Sequence, residues 1–268
     1  MRPNRLILIL ALSVLVAPAV LADQPIERTA TLAPDGQIEI SIVSGSLAIT
    51  GWDRDEIHLE GTLGSRVEEL RLKVKGDRAV IDLELPDKVR GDVSVELVVQ
   101  VPTGSSLEIE TVSADVEIVG VTGELELASV SGGIRCRGPV AELEVATVSG
   151  DIELESTADE IEAASVSGDL DLTAERFVEV ELETVSGDIE LRGALSPEAR
   201  IEIESFSGEV TLTVPADTSA RWEASSFSGH IRSDFSDASG KSFELETGDG
   251  DAEVSLISFS GDILIKKD

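Results

Sequence analysis

The sequence predicts an all-β protein, and within that class a single-stranded β-solenoid, β-helix-like, with about 18–21 residues per turn of chain. Three observations lead there. Apolar and polar residues alternate with period 2 through most of the chain. A Val-Ser-Gly-Asp-Ile motif recurs at near-constant spacing. Aromatics are only 3%, with no Tyr, while apolar residues still make up 41%. Val, Ile, Leu and Ala on one face of short strands suit a core of stacked ladders.

In chain order, the first 22 residues read as a signal peptide. Arg2 and Arg5 form a basic start, Leu6 to Val16 an apolar run, and Val20-Leu21-Ala22 a cleavage site before Asp23. The run is short for a membrane span, and no second long apolar segment follows. The mature chain is therefore expected to be exported, into the periplasm, onto the cell surface or into the medium, and not to be an integral membrane protein.

Residues 23–103 read as a less regular β-rich part. Ile38, Ile40 and Ile42 alternate with polar residues, and Val43-Ser44-Gly45-Ser46-Leu47 is a first copy of the motif. Gly51-Trp52-Asp53 reads as a turn. Leu70 to Val74 and Val80 to Leu83 flank Lys75-Gly76-Asp77-Arg78 as a hairpin. A further strand, Val93 to Val101, ends at Pro102-Thr103-Gly104.

Residues 104–268 carry the regular repeats. The motif serines are Ser113, Ser131, Ser149, Ser167, Ser186, Ser207 and Ser228, spaced 18, 18, 18, 19, 21 and 21 apart. Asp249 takes the serine place another 21 on, and Ser260 follows 11 later. Six residues before the motif residue stand Leu107, Leu125, Leu143, Ile161, Val180, Ile201, Trp222 and Phe243. Three after it stand Val116, Ile134, Ile152, Leu170, Ile189, Val210, Ile231 and Ala252. Such columns give each unit two short strands sharing one apolar face, with Ser-Gly as the corner and Gly supplying positive φ there. One unit cannot bury its face alone, so parallel stacking is expected to close the core. Eight or nine turns at about 4.8 Å give a rod of roughly 40 Å. An antiparallel sandwich competes, but same-type columns at constant period favour the solenoid. The residue before the serine is Val in the earlier copies and Phe at 206, 227 and 259, so bulk grows toward the C-terminal end.

Gly51-Trp52-Asp53, the run from Val99 to Leu107 and the serial Val-Ser-Gly-Asp-Ile units together resemble the bacterial putative-adhesin family of β-strand-repeat proteins. The resemblance covers most of the mature chain. It implies an exported, right-handed, β-helix-like fold and no established activity. Ala114 in place of Gly, and Gly248-Asp249-Gly250, depart from the pattern and mark corners expected to turn differently.

The conspicuous surface feature is a column of acids five residues before the motif residue: Glu108, Glu126, Glu144, Glu162, Glu181, Glu202, Glu223 and Glu244. Alternation turns them outward, and stacking sets neighbours about 5 Å apart. Each like-charge pair then costs about 1 kcal/mol in water. A second column, Asp115, Asp151, Asp169, Asp188, Glu209, Asp251 and Asp262, follows the corner. Such strips keep a sheet soluble and resist edge pairing, and a hard divalent cation such as Ca²⁺ would relieve them weakly. No cofactor is implied. Without Arg2 and Arg5, 19 Lys+Arg face 53 Asp+Glu, a net charge of −34 that makes nucleic acid and anionic lipid poor partners and cations or a basic protein better ones.

Catalytic readings are thin. The hydroxyl column from Thr111 to Thr247 has no adjacent base, since His58 and His230 belong to no triad motif. Cys136 and Trp222 fall in apolar columns and read as core. With so many acids, carboxylate pairs arise by chance, and the short turns build no groove. The expected function is a non-catalytic, adhesin-like interaction or scaffold module of the bacterial envelope, with an unidentified protein or envelope component as partner. The alternatives are a carbohydrate-active enzyme on a β-helix scaffold and a calcium-responsive structural protein.

Overall fold

The computed structural model describes residues 24–86 and 91–268, so the signal peptide expected over 1–22 lies outside the described residues. Every regular element in the described residues is a strand, and the 21 strands join in one sheet. Alternation decides the faces. In Ser106–Val119, Leu107, Ile109, Val116 and Ile118 are buried while Glu108, Glu110 and Glu117 are exposed.

The middle of the sheet is parallel and pairs each residue with its counterpart one repeat away. Leu107, Leu125, Leu143, Ile161, Val180 and Ile201 are successive partners. Beyond the corner, Val116, Ile134, Ile152, Leu170, Ile189 and Val210 form a second such row. A slip of one residue would turn every one of these side chains to solvent, so burial itself holds the register.

The single-stranded β-solenoid expected from the repeats is not what forms. The sheet is mixed, and its stacking order leaves the chain order. Ala252–Ser258 lies between Ile189–Ser205 and Ala220–Ser226, with Val254 paired to both Ile201 and Trp222. The Ser260 unit is thus a full copy inserted between those of Ser207 and Ser228. Phe243 leaves its expected column beside Trp222, because Ser242–Thr247 runs antiparallel to Ala220–Ser226 and sets Phe243 opposite Ala224 and Leu245 opposite Trp222. At the other end Gln24–Thr31, Glu56–Leu63 and Ser94–Pro102 pair antiparallel in succession. The hairpin expected at Gly76 forms between Glu69–Lys75 and Arg78–Glu84. Alternation is the same in parallel and antiparallel strands, so a periodic sequence does not reveal where the direction reverses. The reversals leave short, charge-bearing strands such as Gln24–Thr31 and Ser242–Thr247 paired on one side only, which discourages edge-to-edge association. Lys266 and Lys267, near the end of the chain, pair with Thr213 and Val214 inside the sheet.

The corner glycines serve a different purpose from the expected one. Gly132, Gly150, Gly168 and Gly187 are not at positive φ. A Cβ on Gly150 would stand 2.0 Å from the Gly132 carbonyl oxygen, and one on Gly168 1.9 Å from that of Gly150. Glycine is needed because successive corners touch. The hydroxyl two residues before the serine completes each corner. Thr147 Oγ1 accepts the Gly150 N–H at 3.0 Å, Ser165 Oγ that of Gly168 at 2.7 Å and Thr184 Oγ1 that of Gly187 at 3.1 Å. Ser205 Oγ is buried without a partner, and its corner glycine, Gly208, does sit at φ +153°.

The two anomalous corners behave differently, as expected. Ser106–Val119 runs through Ala114 without a break, and Ala114, fully buried, pairs with Gly45, which has no Cβ to meet its own. Gly248 and Gly250, at φ +60° and +70°, make a reverse turn.

Gly150→Ala should therefore lower stability by about 2–4 kcal/mol, beyond the cost of any φ restriction. Thr147→Ala, which strands a buried N–H, should cost about 1–2 kcal/mol. Urea unfolding of both variants against the parent checks the two values.

Candidate functional site

Parallel pairing brings Glu108, Glu126, Glu144, Glu162, Glu181 and Glu202 into one exposed row of successive partners. Glu223 and Glu244 are not in line with them. Ser255 of the inserted copy separates Glu202 from Glu223, and Glu244 faces Glu223 across an antiparallel pair. At the start of the row, Arg78 Nη2 is 2.7 Å from Glu39 and 4.0 Å from Glu108. Further along, partial burial and then the charges of Glu162, Glu183, Glu202 and Glu204 push the Glu181 carboxyl above its ordinary value. Among the described residues no three His, Cys, Asp or Glu side chains are grouped to hold a metal ion.

The second acidic column is occupied by the backbone. Asp115, Asp151, Asp169 and Asp188 each accept a backbone N–H one repeat on, from Gly133, Asp169, Asp188 and Glu209, at 2.7–3.1 Å. Asp262 accepts the His230 N–H at 2.8 Å. These carboxylates hold corners together.

The remaining candidates have structural surroundings. The His230 ring is exposed, with Nδ1 3.7 Å from Asp262. His58 Nδ1 is 2.9 Å from Thr29 Oγ1. Trp222 is buried and donates from Nε1 to Thr247 Oγ1 at 2.9 Å. Trp52 donates to the Glu56 carbonyl at 2.8 Å, with the Arg54 guanidinium 4.7 Å above its ring. Cys136 is completely buried between Ile118 and Leu154, and burial pushes its thiol up to about 12. On the face beyond the corner, Arg135 and Arg137 pair with Glu117, Glu153 and Glu155. Arg135 Nε bonds Glu153 at 2.6 Å and Arg137 bonds Glu155 and Glu117, each at 3.2 Å. The Arg135 hydrogen bond holds the Glu153 carboxyl below its usual range.

A further feature went unrecognised as a surface in the sequence. The residue before each motif serine faces out, so Val112, Val130, Val148, Val166, Val185, Phe206, Phe259 and Phe227 form an apolar ridge, each 44–68% exposed. The inserted copy stacks Phe259 between its neighbours. Its ring lies 4.8 Å from that of Phe206 at 7°, and 5.0 Å from that of Phe227 at 12°. Period-2 counting from the buried Thr147 places Val148 outside, so the signal was present. An apolar residue beside a corner simply reads as core.

An all-β chain with an exposed apolar ridge between rows of carboxylates is the class of molecule these observations define. Residues 37–266 match the family described as Toastrack DUF4097, and the chain belongs to that family. The resemblance read from the motifs is thereby borne out. No curated protein matches the chain. Among solved structures it is similar to a putative adhesin from Bacteroides fragilis, at 15% identity over 91% of this chain and 98% of that one, with a TM-score of 0.52. It also matches putative adhesins from Parabacteroides distasonis and Parabacteroides merdae. Their identities are 12% and 11%, with 90% and 91% of this chain and 97% of each of theirs covered, and their TM-scores are 0.47 and 0.45. At 15% identity the likeness to the Bacteroides fragilis protein is one of fold.

Two measurements test the site. Because the Glu181 carboxyl titrates above its ordinary 4.5 in the folded chain, the small contribution of this one group to stability is fully present below about pH 4.5 and is lost as pH rises through the raised value. Glu181→Gln should raise stability at pH 7 by a few tenths of a kcal/mol at low salt. The gain should vanish near pH 4, and melting curves at both pH values show whether it does. Cys136 should resist a maleimide at pH 8 in the folded chain and react within minutes once urea unfolds it.

Proposed function

We propose that this chain is a non-catalytic, adhesin-like interaction module, exported to the bacterial envelope or beyond it. The observation that carries the reading is the exposed apolar ridge. Eight large apolar side chains in a row on a surface otherwise dense in carboxylates favour contact with another molecule over solvation. The hydroxyl and Asp columns, which supply most of the chemically suggestive groups, are bonded to backbone N–H groups and support the corners instead. Export rests on the basic and apolar leader of residues 1–22, cut before Asp23. No helix among the described residues is long and apolar enough to cross a membrane.

The test is a pull-down of envelope components by the mature chain, with three baits. These are the parent, a ridge variant carrying Phe206→Ser, Phe227→Ser and Phe259→Ser, and a row variant with Glu108, Glu126, Glu144, Glu162, Glu181 and Glu202 changed to Gln. The parent should capture a defined set of components that the ridge variant loses. Capture by the row variant should be weaker and less sensitive to salt. Equal recovery by all three baits, or none by the parent, would remove the proposal.

A further inference from the structure

The column next to the ridge, three residues before each motif serine, changes character along the sheet. Its successive partners are Glu110, Ala128, Ala146, Ala164, Glu183 and Glu204. Methyl groups floor the middle of a trough whose wall is Val130, Val148 and Val166, and carboxylates stand at both ends. The surface is concave at the two ends of this strip. One depression is lined by Ile42, Glu110, Val112, Ala128 and Val130. The other is lined by Ala164, Glu183, Glu204, Phe206 and Phe259. We infer that this trough docks an amphipathic helix with an apolar middle and Lys or Arg at both ends, an inference that rests on the interaction-module reading and names its partner.

Spacing favours a helix. The ridge side chains recur about every 4.8 Å, the separation of neighbouring strands. The apolar stripe of a helix recurs every 5.4 Å, so the two patterns drift apart by only about 2 Å over four turns. An extended segment shows same-face side chains every 6.8 Å or so and is out of step by the second. Glu110 and Glu183 are four ladder steps apart, about 19 Å, which roughly 13 helical residues span.

Charge selects among occupants. A second copy would bring Glu110, Glu183 and Glu204 against their like in a chain of net charge −32, and an anionic lipid surface would be repelled in the same way. A helix with cationic ends meets acids at each end of the trough and alanines between them.

The probe is a fluorescein-labelled, capped peptide of about 16 residues, with Leu along one helical face and two Lys at each end. Its anisotropy is titrated with the mature chain at low and high salt, beside a scrambled peptide of equal composition. The designed peptide should bind and gain helical circular dichroism, and the scrambled one should bind at least tenfold more weakly. Ala146→Lys, at an exposed position, should abolish binding without altering the melting curve. Phe206→Ser with Phe259→Ser, which removes the aromatic side chains at one end of the trough, should weaken binding about tenfold. Glu110→Gln with Glu183→Gln should flatten its salt dependence. Equal binding of the scrambled peptide, binding that survives Ala146→Lys and the Phe pair alike, or no binding would overturn the inference. So would self-association through the ridge in sedimentation. If the parent captures envelope components and capture survives Ala146→Lys, this inference falls and the interaction module stands. If the parent captures nothing while the peptide binds at the trough, the converse holds.

Discussion

Each corner glycine sits with its α-carbon against the carbonyl of the corner before it, at a distance where a methyl group would lie about 2 Å from that oxygen. This contact sets how closely successive copies approach at the corner, and the apolar rows on either side then fill the interior in the same register. The hydroxyls of Thr147, Ser165 and Thr184 and the carboxylates of Asp151, Asp169 and Asp188 follow from it. A corner leaves the ladder, its N–H groups lose their strand partners, and side chains inside or one copy away must accept them. Motif residues that look like a repeated active site are the means by which the chain turns.

Exact repetition has an electrostatic cost. Whatever stands outward in one copy stands beside its like in the next, so glutamates stack on glutamates from Glu108 to Glu202. On the face beyond the corner the sequence varies. Arg135 stands between Glu117 and Glu153 and compensates them, while farther along the same row Asp171 stands between Glu153 and Glu190 as like beside like. Partial burial and then the neighbouring charges raise the Glu181 carboxyl, and the row gives one side of the molecule a strong negative field, which attracts cationic partners and repels copies of itself. The apolar ridge lies beside that field. A partner is thus selected by charge at long range and held by apolar contact at short range.

The Val/Phe ridge gains its aromatic end through the insertion of the last copy. Phe206 and Phe227 belong to units adjacent in the chain, yet neither ring contacts the other directly. Phe259 lies between them. The same insertion puts Ser255 into the glutamate row and ends it after Glu202. One rearrangement of stacking order therefore creates the aromatic patch and bounds the acidic strip.

The sequence alone determined which side chains are buried, because period 2 selects a face and a period near 20 aligns the faces. Leu143, Val145, Ile152 and Leu154 were legible as core, and Glu108 to Glu202 as one outward row. Two matters were decided only by the tertiary structure. The Ser260 copy lies between those of Ser207 and Ser228. Ser242–Thr247 runs antiparallel, taking Glu244 out of the row. The reason is physical. Alternation is a property of a single strand and is identical whichever neighbour that strand pairs with and in whichever direction. The choice of neighbour is made by long-range backbone pairing, which leaves no local signature in the chain.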